Sequence, residues 1–189
     1  MLRPVRIAPP AETPLSLSDA KSALREESDD QDAVIGSMIA AATGHLDGWA
    51  GTLGRCMVTQ VWRYRLPCLT ARTSLVMPDA QAVAASVIGA DGSTTAIDPA
   101  TLALQEGVTG AVLTLSGAGP DLPGDVDHPV QLDVTFGFGS AADVPAPIVQ
   151  AIRLIVGHMY ARREAVADSR LAVLPVGVSS LLAPYRWFG

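Results

Sequence analysis

Hydrophobic positions recur every three to four residues near the start of this chain, alternate through its middle, and return to helical spacing after residue 143. Ser16 followed by Asp19 forms a capping signal that opens a short predicted helix through Leu17, Ala20, Ala23 and Leu24. The stretch ESDDQD ends that helix and starts another. Asp29 or Asp30 accepts the free amides, and Asp32 adds favourable charge in the first turn. The second helix is predicted from about Gln31 to Trp49. Its stripe is Ile35, Met38, Ile39, Ala42, Leu46 and Trp49, and Gly51 is its expected stop.

From Cys56 the period changes to two. CMVTQVWRYRL sets Val61, Arg63 and Arg65 against Gln60, Trp62, Tyr64 and Leu66. TSLVMP reads as a short strand, and VAASVIGADGSTTAI as a hairpin turning at Asp91-Gly92. LALQEG and AVLTLS are two further short strands, and GAGPDLPGDVDHP is a loop. VQLDVTFGFG is the last strand, with Val130, Leu132, Val134 and Phe136 on one face.

Asp143, Pro145 and Pro147 begin a long helix, since proline is tolerated in a first turn. Ile148, Ile152, Ile155 and Met159 form its stripe, which Val149, Val156 and Tyr160 widen. Such width predicts packing against more than one neighbour. Residues 176–184 carry one or two helical turns ending before Pro184, and the tail continues through Tyr185, Arg186, Trp187 and Phe188. Aromatic and Arg side chains together are common interface anchors. Leu181 and Leu182 complete a candidate docking set; the alternative is that this tail folds back onto the chain's own core.

The expected class is α+β: a mainly helical domain with two N-terminal helices and a long C-terminal helix, an inserted block of short antiparallel strands, and a docking tail. By this division residues 1–14 are a flexible N-terminal segment and 15–163 the main domain, with its strand block at about 56–138. Residues 164–189 are a linker and tail.

Composition narrows the function more than the fold. The chain has 189 residues, of which 49% are apolar and 17% charged, with a net charge of −6. Lys21 is the sole lysine. Tight binding to DNA phosphates needs clustered cations, which an acidic chain lacks. Cys56 and Cys68 are too few for a disulfide framework and match no zinc spacing, so they read as small residues in a reducing compartment. The start lacks a signal-peptide core, and no run reaches the about 18 apolar residues of a membrane span. A soluble, cytoplasmically made protein is expected, with no membrane partner.

Catalytic chemistry needs convergent nucleophiles, bases or ligands. His45 and His158 sit in predicted helices without a metalloprotease motif, and His128 follows Asp127 in a loop. Glu26, Glu27, Asp29, Asp30 and Asp32 are explained by capping and solubility. Asp121, Asp125 and Asp127 lack calcium-loop spacing. In GFGSAAD the turn alone accounts for Gly137 and Gly139. Arg162 and Arg163 complement a helix C-terminus, with anion binding as the alternative. No catalytic, metal-binding or cofactor-binding residue is assigned, and no cofactor is expected.

In order, PLSLSDAKSALREESDDQDAVIGSMIAAATGHLDGWAG, VTQVWRYRL, MPDAQAVAASVIGADGST, VTFGFGSAADVPAPIVQAIRLIVGHMYARREAV and LPVGVSSLLAPYRWFG resemble the head–tail connector, or adaptor, proteins of tailed bacteriophages and gene transfer agents. The series covers nearly all of the chain beyond residue 14. The resemblance implies a structural protein of the virion neck, assembled in the bacterial host cytoplasm. It implies a ring of about twelve copies under the portal, each subunit offering two different faces. The portal protein, neighbouring copies and a stopper or other tail-side neck protein are the implied partners. Double-stranded DNA passes through the channel without sequence-specific binding, and the acidic charge predicts a lumen that repels it. Portal contact maps onto Leu181, Leu182, Tyr185, Arg186, Trp187 and Phe188, and contact with the tail-side component onto the strand block. Competing readings are a stopper or tail-completion protein, a small enzyme using Arg162 and Arg163, and a helix-turn-helix whose acidic EESDDQD would face phosphates unfavourably.

Overall fold

The computed structural model describes residues 2–107, 110–162 and 176–187. Two compact units are present. One contains Thr59–Phe138 with the N-terminal stretch up to Ala11; the other joins Glu12–Val58 to Gly139–Arg186.

The strand unit is built around a strictly alternating strand at Val130–Phe136. Strands β1 (Val5–Ala8), β2 (Gln60–Leu66), β4 (Ala80–Ile88), β5 (Thr94–Ala96) and β8 (Val130–Phe136) make a five-stranded antiparallel sheet in the order β1-β2-β8-β4-β5. Val130, Leu132, Val134 and Phe136 are all buried, and pairing sets Tyr64 opposite Leu132 and Leu66 opposite Val130 on the same face. The Tyr64 and Phe136 rings lie 6.1 Å apart in a tilted arrangement, a favourable aromatic geometry. The opposite face carries Arg63, whose Nε and Nη2 donate to both carboxylate oxygens of Asp133 at 2.7 and 2.8 Å. That carboxylate raises the Arg63 pKa, mainly through the hydrogen bond.

Strands β3 (Arg72–Ser74), β6 (Leu102–Gly107) and β7 (Gly110–Leu115) form a second antiparallel sheet, ordered β3-β7-β6. Gly110 has φ +113°, and a Cβ there would stand 2.2 Å from the Leu75 carbonyl oxygen. Glycine is required at this close approach.

In the helical unit, Ser16 caps α1 (Leu17–Leu24) by accepting from the Asp19 amide at 3.1 Å. A 3-10 turn over Asp29–Gln31 leads into α2 (Asp32–Leu46). Lys21 holds this corner, donating to Asp29 and Asp32 at 2.7 and 2.6 Å. Helix α3 (Ala146–Ala161) packs against α1, α2 and α4 (Val176–Leu182), and buries Ile148, Ala151, Ile152, Ile155 and Val156. Tyr160 adds a long-range tie, donating its hydroxyl to Glu26 at 2.5 Å.

Several expectations need correction. The class is α+β, but the chain is not a mainly helical domain with two N-terminal helices and a long C-terminal helix. Among the described residues there are four α-helices and two antiparallel sheets, and the long helix α3 is followed by α4 and so is not C-terminal. The strands between the two parts of the helical unit have buried side chains of their own and form a compact unit in their own right. Within the stretch 1–14 expected to be flexible, Val5–Ala8 pairs with β2 as an edge strand. Helix α2 ends at Leu46, short of Trp49, because Asp47 is extended and its carboxylate accepts the Met57 amide at 2.8 Å.

Candidate interaction surfaces

The C-terminal segment starts from α4, where Val178 and Leu182 lie four residues apart on one face. Both are completely buried as α4 packs on α3. Pro184 cannot continue an α-helix by donating an amide, and the chain tightens into a 3-10 turn over Ala183–Tyr185. The Arg186 amide closes it on the Leu182 carbonyl at 3.1 Å, and Arg55 Nη1 donates to the Tyr185 carbonyl at 3.5 Å.

The six residues expected to form a docking set therefore separate. Leu182 belongs to the helical core. Leu181, Tyr185, Arg186 and Trp187 are half-buried and keep part of their surface accessible. Phe188 lies outside the described residues, as does Arg163.

A second surface was not anticipated from sequence. Among the described residues, β1 and β5 are the edge strands of the five-stranded sheet. Among the described residues, Leu2, Val5 and Ile7 are 51%, 60% and 41% exposed, and they cluster on or beside β1. An apolar run of this kind on an edge strand is a template for pairing with another chain. The available signal was the alternation in VRIA, masked by the flanking Pro4 and Pro9.

At the other edge, β5 is exposed along its length. Beside it opens a cavity of about 500 Å³. Ile97, Leu115, Pro120 and Pro123 give it apolar walls, and Asp98 and Asp121 give it carboxylates. Asp91 lies in the turn between β4 and β5, and Asp98 and Asp121 line the cavity.

The residues weighed for chemistry stay apart. His45 meets Thr52 at the end of α2, His128 stands in the loop before β8, and His158 is on α3. Arg162 is exposed at the end of α3. Cys56 is buried and Cys68 exposed, and among the described residues neither is in a disulfide. Asp29 and Asp32 of the acidic stretch serve Lys21, and Glu26 serves Tyr160 and the Ser28 amide. Among the described residues no cluster of three or more His, Cys, Asp or Glu side chains suits a metal ion, and no helix is long and apolar enough to cross a membrane.

No family model matches the chain, and no curated protein matches it. Solved structures do. The chain is similar to a chain in the neck of an empty GTA particle computed with C6 symmetry, at a TM-score of 0.77 and 20% identity. It is also similar to one in the virion of a native gene transfer agent particle, at 0.73 and 22%. A third match, in the neck of a native GTA particle computed with C12 symmetry, has a TM-score of 0.71 and 21% identity. Each alignment covers 100% of this chain and 97% of the other. At these identities the likeness establishes a shared fold over the full length.

Proposed function

We propose that this protein is a structural subunit of the neck of a tailed phage or gene transfer agent particle, and within the neck the head–tail adaptor beneath the portal. The observation that carries this reading is the full-length fold likeness to chains of gene transfer agent particles, two of them from necks computed with C6 or C12 symmetry. Those symmetries favour a ring of about twelve copies, in which each subunit presents two unlike faces to its neighbours. The ring extends the portal channel, DNA passes through it, and no reactive centre is needed.

A stopper or tail-completion role is the second reading. The eight strands among the described residues favour it, while the four-helix unit built around α3 favours the adaptor. In the adaptor reading, Leu181, Tyr185, Arg186, Trp187 and Phe188 meet the portal, and buried Leu182 anchors the segment that presents them. The strand unit faces the next tail-side component.

Imaging the neck of purified particles at a resolution that traces chains tests this directly. The expected result is a ring of this chain touching the portal. Finding the chain one layer further from the portal would replace the adaptor with the stopper, and absence from particles would end both readings. A Tyr185→Ala/Trp187→Ala double variant should keep the wild-type melting curve and lose portal binding by about tenfold or more, the usual effect of removing aromatic anchors. Unchanged binding would remove the tail from the portal contact.

A further inference from the structure

We infer that the cavity beside β5 is the docking site for one kind of occupant: an apolar segment of a different neck protein that carries an arginine or lysine. The inference rests on the reading of the strand unit as the tail-side contact, and it names the place and the chemistry of that contact. All residues lining the cavity belong to the strand unit.

Charge selects the occupant. Asp98 and Asp121 are exposed at the cavity, and among the described residues no lysine or arginine lines it. The sequence supplies the reason: between Arg72 and Arg153 it holds neither residue, while Asp91, Asp98, Asp121, Asp125 and Asp127 all fall there. His128, the one further basic side chain of that stretch, lies against Asp127. Arginines of the neighbouring strands are turned away. Arg72 stands opposite Thr114 in register, so it sits on the other face of its sheet from Leu115. Arg63 and Arg65 alternate onto the face opposite that of Val87. A concave site of one sign between low-dielectric walls concentrates its field and draws in the opposite charge. The same carboxylates repel the phosphates of DNA. A net charge of −6 also disfavours a second copy as the source, because copies of one acidic chain repel.

Shape and rigidity suit a peptide segment. Val87, Ile97, Leu115, Pro120 and Pro123 give apolar walls to a volume of about 500 Å³, within the ~300–1,000 Å³ usual for specific pockets. These walls are built in advance. The Ile97 amide donates to the Ala85 carbonyl at 2.8 Å, and the Ser116 amide donates to Thr101 at 2.8 Å, which ties the 3-10 turn Pro99–Thr101 to the end of β7. Asp98 accepts the Ala100 amide at 2.9 Å, so its carboxylate is fixed at the wall. Pro120 and Pro123 have their φ set by the ring. A site ordered beforehand has little conformational freedom to lose on binding.

Two measurements on the full-length chain test this. The first is an array of short peptides with Arg, Lys, Gln or Glu fixed at the centre and Ala, Leu, Val, Phe or Pro varied on both sides. Binding should be confined to the Arg and Lys sets. Asp98→Asn/Asp121→Asn should weaken it about tenfold or more and keep the wild-type melting curve, since asparagine caps a helical turn as well as aspartate does. Ala118→Arg, which puts a cation at the exposed rim, should do the same. Equal binding of the Gln and Glu sets, no binding, or binding unchanged in these variants would overturn the inference. The second measurement places photoreactive p-benzoylphenylalanine at Thr95 in particle-forming cells. The expected link is to a segment of a different particle protein in which an arginine or lysine neighbours apolar residues, with a yield about tenfold or more lower in the Asp98→Asn/Asp121→Asn variant. A link within this chain, to a second copy, to DNA or to a segment without a cation would overturn it, as would no link from a chain that enters the neck. A chain absent from particles would sink the neck reading, and the array alone would then decide whether the cavity selects a cation.

Discussion

Lys21 reaches its partner Asp29 across eight positions of the chain, whereas Arg63 reaches Asp133 across 70. The two ion pairs stand for two ways of building a fold. The corner between α1 and α2 is assembled from neighbours in sequence, with Asp29 on the surface and Lys21 largely covered. The centre of the five-stranded sheet joins β2 to β8 over a long excursion, so each cross-strand pair requires a large loop to close first. Local construction tolerates small losses. The sheet depends on a few central side chains that many others touch.

Phe136→Ala should expose that dependence most strongly. It removes a fully buried ring from β8 and should cost about 3–5 kcal/mol in denaturant unfolding. Hydrogen exchange should quicken first in β2, β4 and β8; equal quickening in α1 and α2 would erase the contrast between the units. Leu182→Ala should cost about 2–5 kcal/mol, because this side chain is part of the helical core. A negligible loss would make α4 a loosely held tail. Gly110→Ala should cost about 1–3 kcal/mol through its φ of +113° and its approach to the Leu75 carbonyl. Wild-type stability there would mean the backbone relaxes freely.

Smaller effects belong to the ion pairs. Arg63→Ala should cost about 0.2–1 kcal/mol, since both partners remain partly solvated. Acid should act on the helical corner more gently still. Lys21 holds the Asp29 carboxyl below its ordinary value of 3.8, and Ser140 does the same for Asp143, each mainly through a side-chain hydrogen bond. A depressed carboxyl stabilises the fold above its unfolded pKa and loses that contribution as pH falls through the folded one. Melting temperature should therefore drop below pH 3.8, and Lys21→Met should flatten the part due to Asp29.

The same contrast explains what could be read from the chain. Ser16 and Asp19 announced α1 because their interaction spans three residues, and alternation announced the buried face of β8. The prolines at the start of α3 were equally plain. What escaped depended on distant partners. Nothing in VRIA names β2 as its neighbour, and Leu182 looks like any terminal leucine until α3 lies against it. The cavity beside β5 gathers residues from β4, β7 and the loop before β8, so no single stretch carries its pattern. Lys21 was visible as the sole lysine, yet its two carboxylates were assigned only to capping.

The placement of β8 between β2 and β4 has a consequence for synthesis. The ribosome delivers β2 and β4 long before the strand that joins them, so each emerges with its apolar face uncovered. A nascent chain halted before Val130 offers two sticky ribbons and no sheet, a natural substrate for holding chaperones. The last strand acts as a keystone, and the sheet closes only after it drops into place.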